Sequence, residues 1–251
     1  MMKQFILLTI AIATFTACNS QKSATQTSAS TTYEIHESIE VNCTADMEWI
    51  KRYEQRDIVA LNERAKTEDR ECDILFFGSS SIRLWKSLKE DFAPLKVVNR
   101  GYGGATLRDL HYNYPTVMRD YRPKALVVYC DNDMKGKKGD LSIGELFDHY
   151  RVLFARLNRD FPDVPVFFLA VKHSKRREAI RDRQHTFNEL MRDYANHSKQ
   201  LTFIDTCSPL LRADGSIDES LFLDDRIHLN AKGYRRWTEL LKPILLKTIK
   251  Q

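Results

Sequence analysis

Residues 73–82 read DILFFGSSSI, an apolar run of strand length that ends in a glycine and three serines. Further apolar runs of similar length follow at residues 95–99 (LKVVN), 125–130 (ALVVYC), 164–171 (VPVFFLAV) and 201–205 (LTFID). The central runs are almost wholly apolar and rich in β-branched and aromatic residues, a composition typical of strands that are buried on both faces. The sequence therefore predicts a five-stranded parallel sheet.

Segments with helical periodicity separate these runs. The clearest is residues 142–161, where five large apolar residues between Leu146 and Leu157 fall on one face of a helix. Strands that alternate with helices indicate an α/β doubly wound domain, in which ligands bind beyond the carboxyl ends of the strands. Further helices are predicted over residues 45–67, 82–90, 106–121 with a break at Pro115, 177–197 and 230–249.

Three side chains predicted near that edge of the sheet have the chemistry of acyl transfer. Ser80 follows the first strand, and Asp225 and His228 follow the loop after the fifth. A serine hydroxyl becomes a good nucleophile when an imidazole takes its proton, and a carboxylate fixes the tautomer of that imidazole. We therefore predict that Ser80 is the nucleophile, that His228 is the base and that Asp225 orients His228.

An oxyanion formed during acyl transfer needs hydrogen-bond donors. The candidates are the backbone N–H groups of Ser80 and Gly104 and the side-chain amide of Asn132, because each residue follows a predicted strand. Taken singly, each has an ordinary structural explanation, since serines cap helices and glycine and asparagine are common in turns. Their combination in this order favours a catalytic site.

Together these residues resemble the motifs of the SGNH/GDSL hydrolase superfamily. The Gly-Asp-Ser block of that family corresponds to residues 78–80, its oxyanion glycine to Gly104, its Gly-x-Asn-Asp block to residues 130–133 and its Asp-x-x-His block to residues 225–228. The resemblance runs from about residue 73 to the C terminus. It implies a flavodoxin-like, three-layer α/β/α fold and hydrolysis of esters or thioesters without a metal or cofactor. The branch that the sequence most resembles is that of the platelet-activating-factor acetylhydrolase catalytic subunits.

Two positions depart from the family pattern. Ser79 stands where the family has aspartate, so three serines are adjacent and the choice of Ser80 depends on the alignment. Cys130 replaces a glycine two residues before Asn132, where its side chain either crowds the oxyanion site or packs beside it. The Gly-x-Ser-x-Gly elbow of general α/β-hydrolases does not fit, because Ile82 occupies the place of its second glycine.

The expected function is hydrolysis of small acyl esters, in particular acetyl esters of an extracytoplasmic carbohydrate. This substrate follows from the predicted location and from the resemblance, and no single residue indicates it. The same residues would serve a transferase, or a lipase or lysophospholipase, for which an exposed apolar groove or lid is expected. A non-catalytic glycan-binding lipoprotein is the alternative from another class, motivated by Ser79 and Cys130.

The first residues predict export. Residues 1–18 combine Lys3, an apolar run too short to span a bilayer comfortably, and Cys18. They resemble a lipoprotein signal peptide whose lipobox cysteine, Cys18, receives the lipid, although Phe15 stands where leucine is usual. An ordinary signal peptide with an incidental Cys18 is the alternative.

The tether and the domain follow. Residues 19–44, rich in Ser, Thr, Ala and Gln up to residue 32, are predicted to form a flexible tether, and residues 45–251 the hydrolase domain. The expected location is therefore extracytoplasmic, with the chain anchored in a membrane of a bacterial periplasm or cell surface. We expect an ester of a small molecule or a glycan as substrate.

Other side chains receive structural interpretations. The net charge of +5 is scattered, and the arginines between residues 176 and 183 are interpreted as a solvated helix face rather than a nucleic-acid surface, because no aromatics are interleaved with them. His173 and Ser174 either line the pocket or serve as capping or solvent-facing residues. The three tryptophans are expected in the core, with Trp85, one turn beyond Ser80, as the best candidate for a sugar-stacking exception.

Four cysteines lie outside the signal segment, at positions 43, 72, 130 and 207. Their spacing matches neither a zinc site nor a redox pair. Three of them lie in or beside predicted core strands, where a free cysteine behaves as a small hydrophobe. We therefore favour free thiols for most of them.

Overall fold

The structure is a computed structural model, and it describes residues 54–118 and 120–250. These residues form a five-stranded, wholly parallel sheet in the order β2-β1-β3-β4-β5, so the predicted α/β fold is confirmed. The strand order reverses at β1, as it does in doubly wound sheets. The strands are β1 (Glu71–Gly78), β2 (Val97–Gly101), β3 (Arg122–Tyr129), β4 (Val166–Leu169) and β5 (Leu201–Ile204).

Helices connect the strands. They are α1 (Val59–Ala65), α2 (Ser80–Arg83), α3 (Leu88–Phe92), α4 (Leu107–Tyr112), α5 (Tyr114–Met118), α6 (Ile143–Asp160), α7 (Arg181–Asn196) and α8 (Ala231–Ile249). A π-helical turn, Glu54–Ile58, precedes α1, and short 3₁₀ segments lie at Lys175–Ile180, Ser208–Leu210 and Glu219–Leu221. Among these described helices, none combines the length and the apolar character needed to cross a membrane.

Several predicted helix bounds were wrong, and the reasons are local. The helix predicted over residues 82–90 is two short helices, α2 and α3. The break predicted at Pro115 falls at Asn113, because Pro115 occupies the first turn of α5, where its missing N–H is not needed. The predicted start at residue 177 is replaced by the 3₁₀ segment before α7. The part of the first predicted helix before residue 54 lies outside the described residues.

The sheet is covered on both faces, because alternate residues of the central strands enter two separate cores. Leu75 and Phe77 of β1 pack into the core that includes α6 and α7, whereas Ile74 and Phe76 pack into the core that includes α8. The nearly continuous apolar runs in the sequence are thus explained by burial on two sides. The result is the three-layer α/β/α arrangement.

Trp85 belongs to the second of these cores. Its side chain is 1% exposed and stacks on Tyr234 at a ring-centroid distance of 5.0 Å, with Trp237 at 5.8 Å and Phe92 at 5.5 Å. The sugar-stacking role considered for Trp85 is therefore wrong, because the buried indole has no free face. Trp49 lies outside the described residues.

A glycine at the end of β1 lets the chain turn sharply into α2. Gly78 has φ +128°, and a Cβ at this position would lie 1.9 Å from the carbonyl oxygen of Tyr129 on the neighbouring strand. The next residue, Ser79, donates its backbone N–H to that same carbonyl at 2.8 Å. This close approach sets Ser80 as the first residue of α2, directly beyond the sheet edge.

We predict that Gly78→Ala lowers the free energy of unfolding by about 3 kcal/mol or more, because it adds a backbone clash to an unfavourable φ. Gly139→Ala is the matched control, since Gly139 also has a positive φ, +90°, but no atom lies within 4 Å of its added Cβ. The control should cost only about 1–2 kcal/mol. Chemical denaturation measures both, and equal losses would show that the contact with Tyr129 is not what requires glycine.

Candidate active site

Three side chains form a continuous hydrogen-bonded line at the carboxyl edge of the sheet. The Oγ atom of Ser80 lies 2.9 Å from Nε2 of His228, and Nδ1 of His228 lies 2.5 Å from Oδ2 of Asp225. An ionised carboxylate only accepts hydrogen bonds, so Nδ1 carries the proton and Nε2 is left as an acceptor for the serine hydroxyl. The imidazole is thus in the tautomer that can take a proton from Ser80.

A tight turn holds Asp225 and His228 in this relation. Oδ1 of Asp225 accepts the backbone N–H groups of Ile227 at 3.0 Å and His228 at 2.9 Å. Within this turn, between Asp225 and Ile227, Arg226 adopts a left-handed conformation with φ 59°. Burial acts to raise the pKa of Asp225, but hydrogen bonds from the backbone and ring of His228 and from Ile227 hold that pKa below its usual value. Asp225 is therefore a carboxylate at neutral pH.

Of the three adjacent serines, Ser80 is the one that meets His228. Ser79 and Ser81 are 0% and 1% exposed, whereas Ser80 is partly exposed. The hydroxyl of Ser81 points the other way, and the ammonium group of Lys172 lies 3.1 Å from it. Exposure and the contact with His228 therefore single out Ser80 geometrically.

Two of the predicted oxyanion donors, Gly104 and Asn132, follow the strands on either side of β1. Gly104 lies in the loop after β2 with φ 69°, and Asn132 lies three residues after the end of β3. Because β2, β1 and β3 are neighbours in the sheet, the residues that follow them emerge side by side. The amide nitrogen of Asn132 donates to the carbonyl oxygen of Ala105 at 2.9 Å, which ties the two flanking loops together.

Two buried carboxyls support the loop that carries Gly104. Asp109 accepts the backbone N–H of Thr106 at 2.8 Å in a capping box at the start of α4, and Asp133 accepts that of Leu107 at 2.8 Å. Burial raises the pKa of Asp109 to about 7 and that of Asp133 to about 6. The backbone of the loop is therefore fixed from beneath by side chains of two different segments.

The side chain of Cys130 is buried and packs against the loop that carries Gly104. Its thiol donates to the carbonyl oxygen of Ala105 at 3.1 Å, the same oxygen that Asn132 contacts. Burial raises the pKa of Cys130 well above its ordinary value, so the group stays a thiol. Cys72 and Cys207 are also buried free thiols, as expected, and Cys43 lies outside the described residues.

A buried ionic cluster, which the sequence pattern did not predict, contacts Asn132 through Arg177. The carboxylate of Asp131 is 2.7 Å from Arg177 and 3.3 Å from Lys172, and it accepts the hydroxyl of Tyr129 at 2.8 Å. Burial acts to raise the pKa of Asp131, but the charges of Arg177 and Lys172 outweigh it and hold that pKa below its usual range. The cluster is therefore a fixed set of charges directly beneath the site.

The prediction of a solvated helix face is wrong for Arg177. Its side chain is 5% exposed and donates to the side-chain oxygen of Asn132 at 3.0 Å. Its neighbour Arg176 is exposed. Periodicity could not separate the two, because Arg177 finds its partners 45 and 46 positions earlier in the chain. The one available signal was Lys172, a charged residue directly after an apolar strand.

His173 and Ser174 are buried, at 6% and 1% exposure. His173 lies against a cleft formed with Arg181, Asp205 and the start of α7, and Ser80 and His228 are not among the residues that line this cleft. Burial lowers the pKa of His173 to about 4, so the ring is neutral. Among the described residues, no hydrogen bond joins His173 to Ser80 or His228.

The sequence matches a known family of hydrolases. The model of a family described as GDSL-like Lipase/Acylhydrolase matches residues 52–236, which is more than half of the chain. No protein with curated function matches the sequence significantly.

Solved structures share the fold at low sequence identity. A Streptococcus pneumonia protein provisionally identified as a platelet activating factor is 18% identical, with 79% of this chain and 95% of that one covered and a TM-score of 0.69. A GDSL-like lipase from Bacteroides thetaiotaomicron is 19% identical, with coverages of 79% and 97% and a TM-score of 0.60. A catalytic mutant of an acetylxylan esterase from Geobacillus stearothermophilus is 16% identical, with coverages of 73% and 96% and a TM-score of 0.53.

Proposed function

This chain belongs to the GDSL-like lipase/acylhydrolase family and is a carboxylic ester hydrolase, and we propose that it removes small acyl groups, in particular acetyl, through an acyl-enzyme on Ser80. The observation that carries the proposal is the unbroken line of hydrogen bonds from Ser80 through His228 to Asp225. Nucleophile, base and orienting carboxylate in this geometry are what acyl transfer to serine requires.

The proposed reaction has two halves. Oγ of Ser80 attacks the ester carbonyl while Nε2 of His228 takes the hydroxyl proton, and Asp225 stabilises the imidazolium that forms. The C–O bond to the alcohol then breaks, and His228 returns the proton to the leaving oxygen. Water repeats the sequence on the acyl-enzyme and releases the carboxylic acid together with free Ser80.

The developing negative charge needs donors that are already in place. We assign this role to the backbone N–H groups of Ser80 and Gly104 and to the side-chain amide of Asn132. Loops after three neighbouring strands carry these groups, and buried side chains hold the loops of Gly104 and Asn132. Donors held in this way stabilise the oxyanion without reorganising during the reaction.

The described residues expose little large apolar surface near the site. The large apolar side chains that the described residues expose are Val59, Tyr112 and Leu223, and of these Leu223 lies in the loop of His228. Lipases that bind long chains need a larger exposed apolar surface. We therefore favour a small-acyl esterase over the lipase or lysophospholipase alternative.

A carbohydrate ester is the proposed substrate class. Asp224 and Arg226 are exposed beside the site, and such polar groups suit a hydroxyl-rich substrate. One of the structures with this fold is an acetylxylan esterase, which acts as a precedent for acetyl-ester hydrolysis on a glycan. A binding protein without turnover would not need Ser80 held against His228, so the non-catalytic alternative is disfavoured.

We also propose that the protein is a lipoprotein anchored outside the cytoplasm through Cys18. The proposal depends on the sequence of residues 1–18, which lie outside the described residues. Such an anchor, followed by residues 19–44 as a tether, would hold the hydrolase domain near a surface where acetylated polysaccharides occur.

We predict that Cys18→Ser moves the protein expressed in a bacterial host from the membrane fraction to the soluble extracytoplasmic fraction, because the acceptor of the lipid is lost. Immunoblots of the fractions measure this, and Cys72→Ser, a change at a buried thiol, is the matched control. A parent protein already soluble outside the cytoplasm would favour an ordinary signal peptide.

We predict that Ser80→Ala lowers kcat for hydrolysis of a short-chain aryl acetate by at least about 10,000-fold, because the nucleophile is lost. The initial rate of aryl-alcohol release measures this, with circular dichroism to verify the fold. Ser79→Ala is the matched control and should keep most of the activity, since Ser79 is buried and does not contact His228. Equal rates for the parent and Ser80→Ala would refute Ser80 as nucleophile.

A further inference from the structure

Asn132 makes two hydrogen bonds that together determine which way its amide faces. Its side-chain oxygen accepts from Nη2 of Arg177 at 3.0 Å, and its nitrogen donates to the carbonyl of Ala105 at 2.9 Å. Arginine can only donate hydrogen bonds, and a carbonyl oxygen can only accept them. A reversed amide would place two donors against each other at one end and two acceptors at the other. The pair therefore selects a single orientation of Asn132.

This orientation matters because an amide presents opposite groups at its two ends. An NH₂ group has two hydrogens, and one of them is given to Ala105. The second is the one that the proposed mechanism directs at the oxyanion. In the reversed orientation the Asn132 oxygen would face the oxyanion and repel it.

Arg177 is itself held rigidly. Its Nη1 atom is 2.7 Å from the carboxylate of Asp131 and donates to the backbone carbonyl of Asp131 at 3.1 Å. The planar guanidinium thus contacts Asp131 and Asn132 at once through different nitrogens. The side chains of Arg177 and Asp131 are both about 95% buried, so the charge-assisted hydrogen bonds between them are shielded from water and stronger than neutral ones.

The segment that carries Arg177 also touches the loop of His228. The backbone N–H of Arg176 donates to the carbonyl oxygen of Arg226 at 3.2 Å, within the turn between Asp225 and His228. A short stretch of chain therefore contacts the base side of the site through Arg176 and the oxyanion side through Arg177.

We propose that Arg177 is a positioning residue that fixes the amide of Asn132 with an N–H toward the oxyanion and strengthens that N–H as a donor. The inference rests on the proposed esterase function. A positive charge hydrogen-bonded to the amide oxygen draws electron density from the amide, so the hydrogen bond from its nitrogen becomes stronger. Arg177 acts only through Asn132 and does not touch the substrate.

Arg177→Met tests this, because methionine approximates the length of the side chain and removes the guanidinium. We expect kcat for an aryl acetate to fall by about 10- to 100-fold, which corresponds to one charge-assisted hydrogen bond, with KM changed by less than about twofold. Arg122→Met, a change at an exposed arginine at the amino end of β3 and so at the opposite edge of the sheet, is the matched control and should retain the parent kcat. An Arg177→Met variant with the parent kcat would overturn the inference and leave the esterase function standing.

A double-mutant cycle separates positioning from a general structural effect. Asn132→Ala alone should lower kcat by about 100- to 1,000-fold, and adding Arg177→Met should then lower it hardly further, because the group on which Arg177 acts is gone. Independent, multiplying losses would overturn the inference. A parent without Ser80-dependent hydrolysis would instead overturn the esterase function, and this inference with it.

Removing Arg177 also leaves Asp131 with less compensating charge, so the fold of each variant is checked by thermal unfolding. If Arg177→Met does not fold, Arg177→Lys takes its place in the cycle, since it keeps a positive charge beside Asp131. A single ammonium cannot span Asp131 and Asn132 as the guanidinium does. We expect about a 10-fold loss of kcat for Arg177→Lys, which should vanish in the Asn132→Ala background. An Arg177→Lys variant with the kcat of the parent would contradict the role of the guanidinium.

Discussion

The hydrogen bond between Ser80 and His228 joins two side chains that are 148 positions apart, and the rest of the site depends on it. It forms because Gly78 lets β1 approach β3 closely and then turn, which places Ser80 at the edge of the sheet. From the other side, the turn at Arg226 lets Asp225 orient His228 through both its carboxylate oxygens. The parallel sheet supplies the edge at which these separate segments converge.

The oxyanion side of the site depends on buried polar and charged groups. Its loops are held by buried polar groups, namely Asp109, Asp133 and the cluster of Asp131, Lys172 and Arg177. Burying charges is costly unless each is paired and hydrogen-bonded. Asp131 is paired with Lys172 and Arg177, whereas Asp109 and Asp133 are held by backbone N–H groups and have raised pKa values. Such a network stabilises the fold less than an apolar core of the same size, but it fixes donors and acceptors in defined directions, which is what an oxyanion site needs.

Much of this could be predicted from the sequence, because the relevant signals are local. The apolar run of β1, with Gly78 at its end and three serines directly after it, indicates strand and turn within ten residues, and the family resemblance selects Ser80 among the serines. Asp225 and His228 are three residues apart, a spacing that lets the carboxylate reach the imidazole ring within one turn. The roles of Arg177 and Trp85 were not predictable, since burial of each is decided by partners far along the chain. The split of residues 82–90 into α2 and α3 was missed because core packing of Trp85 takes precedence over helical periodicity.

The central question for this site is whether the hydrogen bond to His228 activates Ser80. The protein is treated with a fluorophosphonate, which phosphonylates activated serines, and the modified residue is identified by peptide mass spectrometry with the rate followed over time. We expect labelling of Ser80 alone among the three adjacent serines, and a rate that collapses in His228→Ala. Labelling of Ser79 or Ser81, or labelling of Ser80 at an unchanged rate in His228→Ala, would contradict this expectation.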